Sequence, residues 1–334
     1  MKRRLALVGA MATAIALAPT ADAYLRLGTA VGAGIVAVKW NQLPIRYFIT
    51  NRDVPGVTAV DLQAALQHAF DTWNTVPTAS LSSEFVGFTS AEPGVDDGMS
   101  VIGFRARPEL DRILAETTFQ VDSLTGSLIE SDIFINSSFS WSVAPGGEPL
   151  KYDVQSIVTH EVGHLHGLSH SALGETELRP DGTHHVLAKD AVMFPIAYPA
   201  GNIADRALKA DDIAGISDIY PTAAFLRQTG QIGGRVTQNG VGVFGAHIVA
   251  FNPVTGALVG GFSLDAGGHF TISGLTPGLY VVRAEPLDDA DLDSFFDPTT
   301  TTVNINFVPA YASALVAVPA SGSSAPVQIQ VTAK

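Results

Sequence analysis

Residues 160–170 read HEVGHLHGLSH, which puts four of the chain's nine histidines and one glutamate into eleven positions. At about 3.6 residues per helical turn, His160 and His164 fall on one face, a turn apart. Two imidazoles so placed can both offer nitrogen to one Zn²⁺ at about 2.0–2.1 Å. Glu161 sits beside the first of them, where a carboxylate reaches water held by such an ion. Gly167 can take the left-handed conformation that ends a helix and reverses the chain. That turn carries His170 back towards the same ion. Three protein ligands leave a fourth position open, which marks a catalytic site rather than a closed structural one. His166 projects off the shared face and is read as a supporting or surface residue, not a ligand.

The surrounding pattern places this motif on a helix over 153–166. Upstream, PIRYFIT (44–50) reads as a strand, and the helix that follows carries Leu62, Leu66, Phe70 and Trp73 on one stripe. Thr58 and Asp61 make a capping-box start for it. Strands are expected at 100–104, 114–121 and 129–136, and a third helix at 210–220. Asp211 and Asp212 stand in the first turn of that helix, where its dipole favours them. Beyond about residue 228 helical periodicity stops. Short β-rich runs then alternate with turn signals such as Asn239–Gly240 and TPG at 276–278, the pattern of a β-sandwich of about seven strands.

Composition narrows the function classes. The chain has 334 residues, 46% hydrophobic and 15% charged, enough for two cores. Its net charge of −13 repels phosphate, so nucleic acid is not an expected partner. The absence of cysteine excludes disulfides, thiolate metal sites and cysteine nucleophiles. The start, MKRR followed by LALVGAMATAIALA and ADA at 21–23, predicts a signal peptide over 1–23 and a secreted or periplasmic protein. No second apolar run reaches membrane-spanning length, so no stable membrane anchor is expected. The oligomeric state is left open.

With these residues in place, HEVGHLHGLSHS resembles the metzincin zinc metalloproteases, and Ser171 after the third histidine is similar to their matrixin branch. AVMFP at 191–195 resembles the matrixin Met-turn, which implies Met193 as an apolar floor under the metal. DDIAGISDIYP resembles the closing helix. The likeness covers roughly residues 40–221. It implies an α+β fold, a twisted mixed sheet with three main helices, which the all-β sandwich read from the later strand pattern would follow. It further implies His160, His164 and His170 as zinc ligands, Glu161 as general base, and protein or peptide substrates. ILAETTF would be the edge strand that pairs with substrate.

Four departures accompany the likeness. The spacing from His170 to Met193 is longer than in typical matrixins, and the extra segment, 171–190, carries His184, His185, Glu175, Glu177, Asp181 and Asp190. A second metal site there is weighed against a solvated loop, and the loop is preferred. Only about 20 residues separate the expected cleavage from the first strand, so no propeptide is expected. Without cysteine there is no cysteine-switch latency. Pro195 stands where some metzincins add a tyrosine ligand.

The C-terminal part, through GGHFTISGLTPGLYVVRAE, resembles carboxypeptidase-regulatory-like, transthyretin-like modules, commonly adhesive or spacing elements. The acidic run 288–297 is weighed as a Ca²⁺ loop, but it lacks the EF-hand glycine and is read as solvated. The expected organisation is therefore a signal peptide (1–23), a metalloprotease domain (24–222), a linker (223–229) and a β-sandwich (230–334). Each half is expected to have its own core, so that a fragment 24–228 would fold and bind zinc alone. A secreted zinc endopeptidase is the leading reading. The alternative is a surface-binding protein on an inactive protease scaffold, and the retained Glu161 argues against it.

Overall fold

The computed structural model describes residues 26–31, 34–296 and 301–334. The expected signal peptide lies outside these residues. Among the described residues no helix is long and apolar enough to cross a membrane.

An antiparallel ribbon of β1 (Gly28–Val31) and β2 (Gly34–Ala37) precedes the main sheet. That sheet is built from β3 (Ile45–Thr50), β4 (Ser83–Thr89), β5 (Val101–Arg105), β6 (Ala115–Val121) and β7 (Leu128–Asn136), in the order β4-β3-β5-β7-β6. Every neighbouring pair is parallel except β6 with β7. The outer, reversed strand β6 therefore ends the sheet. Helix α1 (Ala59–Asn74) connects β3 to β4. Its start is the expected capping box: Asp61 N–H donates to Thr58 Oγ1 at 3.1 Å, and Thr58 N–H donates to Asp61 Oδ2 at 2.9 Å. The predicted stripe is the buried one, with Leu62, Leu66, Phe70 and Trp73 each fully enclosed.

Two short strands, β8 (Trp141–Ser142) and β9 (Tyr152–Asp153), lead into α2 (Val154–Leu165), which carries the first part of the histidine motif. Asp153 caps it by accepting from Ser156 N–H at 2.8 Å. The segment 171–190, expected as a loop, contains a hairpin of β10 (Gly174–Leu178) and β11 (His184–Lys189). Helix α3 (Ala210–Ile219) follows, and the expected linker is itself helical, α4 (Ala223–Gln228), with Phe225 buried.

The C-terminal half contains β12 (Gly230–Gln238), β13 (Val241–Gly242), β14 (His247–Phe251), β15 (Leu258–Phe262), β16 (His269–Leu275), β17 (Gly278–Glu285), β18 (Ala310–Tyr311), β19 (Val316–Val318) and β20 (Val327–Val331). One sheet runs β13-β12-β16, with β20 also on β12; the other runs β15-β14-β17-β18, with β19 also on β17. The Asn239–Gly240 signal joins β12 to β13 with φ of 52° and 82°, the left-handed pair that a tight hairpin turn requires.

Two large apolar clusters occupy the two halves. One packs α1, α2 and the main sheet around Trp73, Phe70 and Met193; the other fills the space between the C-terminal sheets. Two smaller clusters cross between the halves. Ala172, Val186 and Phe194 pack with Phe262, Leu287, Ala290, Phe295 and Phe296, and Leu173 and Ala191 pack with Val249. Ala214 of α3 belongs to the C-terminal cluster. Each half thus has its own large cluster, as expected, and the smaller clusters add apolar contacts between the halves that the sequence did not suggest.

Candidate metal centre

Helix α2 delivers His160, Glu161 and His164. Gly167 follows with φ of +102° and reverses the chain. The carbonyls left over at the helix end are satisfied by distant groups. The Trp40 indole donates to Leu165 O at 2.8 Å, and Tyr220 OH donates to His166 O at 2.8 Å. The turn so fixed brings His170 to the other two. His164 Nε2 lies 3.1 Å from His160 Nε2 and 3.2 Å from His170 Nε2. Among the described residues these three form the one group of histidine, cysteine or carboxylate side chains that could hold a metal ion. The candidate second site in 171–190 does not assemble: His184 Nδ1 pairs with Thr176 Oγ1 at 2.8 Å, and Nε2 lies 3.5 Å from Asp291.

Backbone carbonyls set the tautomers. His160 Nδ1 donates to Val192 O at 2.7 Å, His164 Nδ1 to Leu168 O at 2.9 Å, and His170 Nδ1 to Ser294 O at 2.7 Å. A carbonyl only accepts, so each Nδ1 holds the proton and each Nε2 turns a lone pair to the common centre. Burial pushes all three imidazoles well below the usual range, with repulsion among them for His160 and His164; His164 falls to about 3 and His170 to about 4. Three neutral nitrogens with converging lone pairs repel unless a cation lies between them. Tetrahedral zinc at about 2.0–2.1 Å from each nitrogen needs ligand separations of about 3.3 Å. The donor set and its spacing fit a zinc ion.

Glu161 is buried beside this centre, and desolvation lifts its carboxyl to about 7, against the pull of a hydrogen bond from Thr117. Thr117 Oγ1 on β6 donates to Glu161 Oε2 at 2.6 Å. Sequence reasoning placed Thr117 on the edge strand but gave it no role. Met193 is 2% exposed and packs against α2 at Gly163, between the two helical histidines. A Cβ at Gly163 would lie inside Met193 Sδ and 2.9 Å from Trp73 Cζ2, which accounts for a glycine in mid-helix. The peptides before Met193 are held by Asp212: Val192 N–H donates to Oδ2 at 2.9 Å and Met193 N–H to Oδ1 at 3.1 Å.

His166 corrects an expectation. It is fully buried on the opposite side of α2, with ring centroids 6.0 Å from Phe70 and 5.9 Å from Trp73. Neither ring nitrogen has a partner, and burial lowers its pKa to about 3. It is a neutral core side chain, neither surface nor support for the metal.

A cleft of roughly 370 Å³ runs over the three histidines and Glu161. One wall is β6 with Leu114, which matches the expected edge strand. Another is formed by Phe194 and Pro195, and a third by Asp291, Asp293 and Ser294 of the C-terminal half, which the sequence did not suggest. Lys189 and Asp205, a buried pair at 2.7 Å, also line it.

The family model for matrixin matches residues 39–180. Two curated relatives from Arabidopsis thaliana are similar. Metalloendoproteinase 1-MMP is 27% identical over 192 residues, 54% of this chain and 44% of the relative. Metalloendoproteinase 4-MMP is 23% identical over 191 residues, 55% of this chain and 48% of the relative. The chain thus spans less than half the length of these curated relatives. Among solved structures, one titled "Structure of a chaperone-substrate complex" aligns over 58% of this chain and 33% of that chain, at 13% identity and a TM-score of 0.27. That last likeness is too slight to bear on the fold. The matched segment contains the whole histidine motif on the helix and turn that converge it, and over residues 39–180 the chain is similar to the matrixins.

Proposed function

We propose that this chain is an exported zinc-dependent endopeptidase, with His160, His164 and His170 as the metal ligands, Glu161 as general base and Met193 as the floor beneath them. The observation that carries the reading is the convergence of three Nε2 lone pairs beside the buried carboxyl of Glu161. A bound zinc ion would supply an activated water and polarise the scissile carbonyl. The free edge of β6 is suited to pair with an extended peptide and lay it across the cleft. Thr117 holds one oxygen of the Glu161 carboxylate, and Glu161 lines the cleft. Glu161, buried beside the centre, would take a proton from that water and return it to the leaving amine. The first 23 residues are read as the export signal, and residues 230–334 as a β-sandwich of the carboxypeptidase-regulatory-like type. No calcium role is assigned to the acidic run.

The test is peptide hydrolysis by the zinc-loaded chain, with and without a chelator, beside Glu161→Gln. The variant should bind zinc with unchanged stoichiometry and lose at least about 10²-fold in kcat, the scale of a removed general base. Activity near wild type in Glu161→Gln would refute the role given to it.

A further inference from the structure

The third histidine is held by the other half of the molecule. His160 and His164 lean on carbonyls of the matrixin half, whereas His170 Nδ1 donates to Ser294 O, 124 residues away. Ser294 ends a 3-10 turn, Leu292–Ser294, and the two residues after it are buried anchors. Phe295 and Phe296 are each 2% exposed and pack in the cluster shared by both halves. The Phe295 ring stands edge-on to His170, centroids 6.4 Å apart and planes at 81°. It also packs on Phe262 of β15, with centroids 5.9 Å apart. On the other side, Asp289 Oδ1 accepts from Thr176 N–H at 3.1 Å and so ties the turn to the β10–β11 hairpin. The carbonyl of Ser294 is therefore anchored from both directions.

We infer that the C-terminal half is a working part of the metal centre, with Ser294 as the positioning residue for His170 through its backbone carbonyl. This rests on the reading of the histidine triad as the zinc site. An imidazole ligand needs its second nitrogen protonated and its ring plane fixed, and the partner that does this governs metal affinity. Without Ser294 O, His170 could swing on its turn and protonate on either nitrogen. The module is thus more than a spacer: its docking keeps the third ligand in place.

The test uses the full chain and zinc itself, with affinity read by competition against a chelator. Phe295→Ala removes the anchor that aims Ser294 O and leaves every proposed ligand intact. Ile329→Ala cuts a comparable cavity in the C-terminal core, in a cluster that does not include Phe295. We expect the zinc Kd to rise about tenfold or more in Phe295→Ala, within the range known for lost supporting partners, and to stay within about twofold in Ile329→Ala. Equal Kd values for Phe295→Ala and wild type, or equal losses in both variants, would overturn the inference. A measurement on the unaltered protein guards against a variant that fails to fold. The Nδ1–H of His170, read by nitrogen-resolved NMR with and without zinc, should exchange slowly with water. Exchange as fast as that of the exposed His68 ring would overturn the inference with no mutation at all. A wild-type chain that binds no zinc would instead refute the proposed function, and the metal-free NMR comparison would still decide the Ser294 bond.

Discussion

Replacing Asp212 by alanine tests how much one buried carboxylate contributes to the site without touching a ligand. Asp212 is 2% exposed and accepts three backbone N–H groups: Val192 at 2.9 Å, Met193 at 3.1 Å and Lys209 at 2.8 Å. Val192 and Met193 are themselves buried, so truncation leaves two orphaned donors at about 1–3 kcal/mol each. The lost cap on α3 adds about 1 kcal/mol. Part of this is returned, because burial already disfavours the charge and lifts the Asp212 carboxyl to about 7. The net loss should be about 3–5 kcal/mol, a large share of the roughly 5–15 kcal/mol a folded protein holds. Asp212→Asn keeps one acceptor oxygen and should lose about half as much. The assay is urea unfolding of zinc-loaded and zinc-free protein. A second effect follows from the Val192 peptide, whose carbonyl accepts from His160 Nδ1 at 2.7 Å. Freed at its N–H end, that peptide holds His160 less well, and zinc affinity should drop about tenfold. An alanine variant within about 0.5 kcal/mol of wild type would refute the reasoning, as would an asparagine variant as damaged as alanine.

Further outcomes can be checked with the same protein. Gly163→Ala forces Met193 and Trp73 apart and should cost about 1–3 kcal/mol with weakened zinc binding, read by thermal unfolding and chelator competition; an unchanged Tm would show that the floor gives way freely. Asp211, buried and accepting from Gly260 N–H at 2.8 Å, has its carboxyl pushed up to about 6 by burial, against an ordinary 3.8. The native state therefore binds the proton more tightly than the unfolded chain, and wild-type stability falls as pH rises from about 4 to 6. Asp211→Asn should match wild type near pH 4 and exceed it by up to about 3 kcal/mol above pH 6; a difference independent of pH would be the wrong result. The fragment 24–228 uncovers Phe194, Leu173 and Val186, each worth about 1.5–3 kcal/mol on burial, and should be aggregation-prone and bind zinc poorly. Full stability of that fragment would mean that the crossing clusters add nothing.

The parts of the site that were legible in sequence are those encoded locally. Helical spacing alone puts His160 and His164 on one face, and Gly167 alone permits the turn to His170. The capping box at Thr58 and Asp61 and the stripe through Trp73 were readable for the same reason. What could not be read depends on contacts between distant segments. His166 lies off the ligand face, but sequence spacing does not say whether that side meets water or Phe70 and Trp73. The β10–β11 hairpin is polar and exposed on much of its length, so its pattern resembles a solvated loop. Its core-facing residue, Val186, packs in a cluster to which the other half contributes Phe262, Leu287, Ala290, Phe295 and Phe296. Ser294 carries no signal at all, because its contribution is a backbone carbonyl.

The three carbonyls that accept from the histidines explain why so much of the chain is tied to eleven residues. Each comes from a different segment, and each segment is fixed by its own buried device. The Val192 peptide is clamped by Asp212. Leu168 is set by the Gly167 turn, with Trp40 and Tyr220 taking up the stray carbonyls of α2 and Leu168 N–H donating to Gly163 O at 3.1 Å. Ser294 is set by Phe295 in the shared cluster. A lone helix-and-turn motif would present two histidines correctly and leave the third ring free to rotate. Rotation of about one ångström at a ligand is enough to lose productive geometry. The motif is therefore sufficient to mark the site but not to build it. The fold supplies one anchor per histidine, and the last of these is reached only after the chain has passed through six strands of its C-terminal half, β12 to β17.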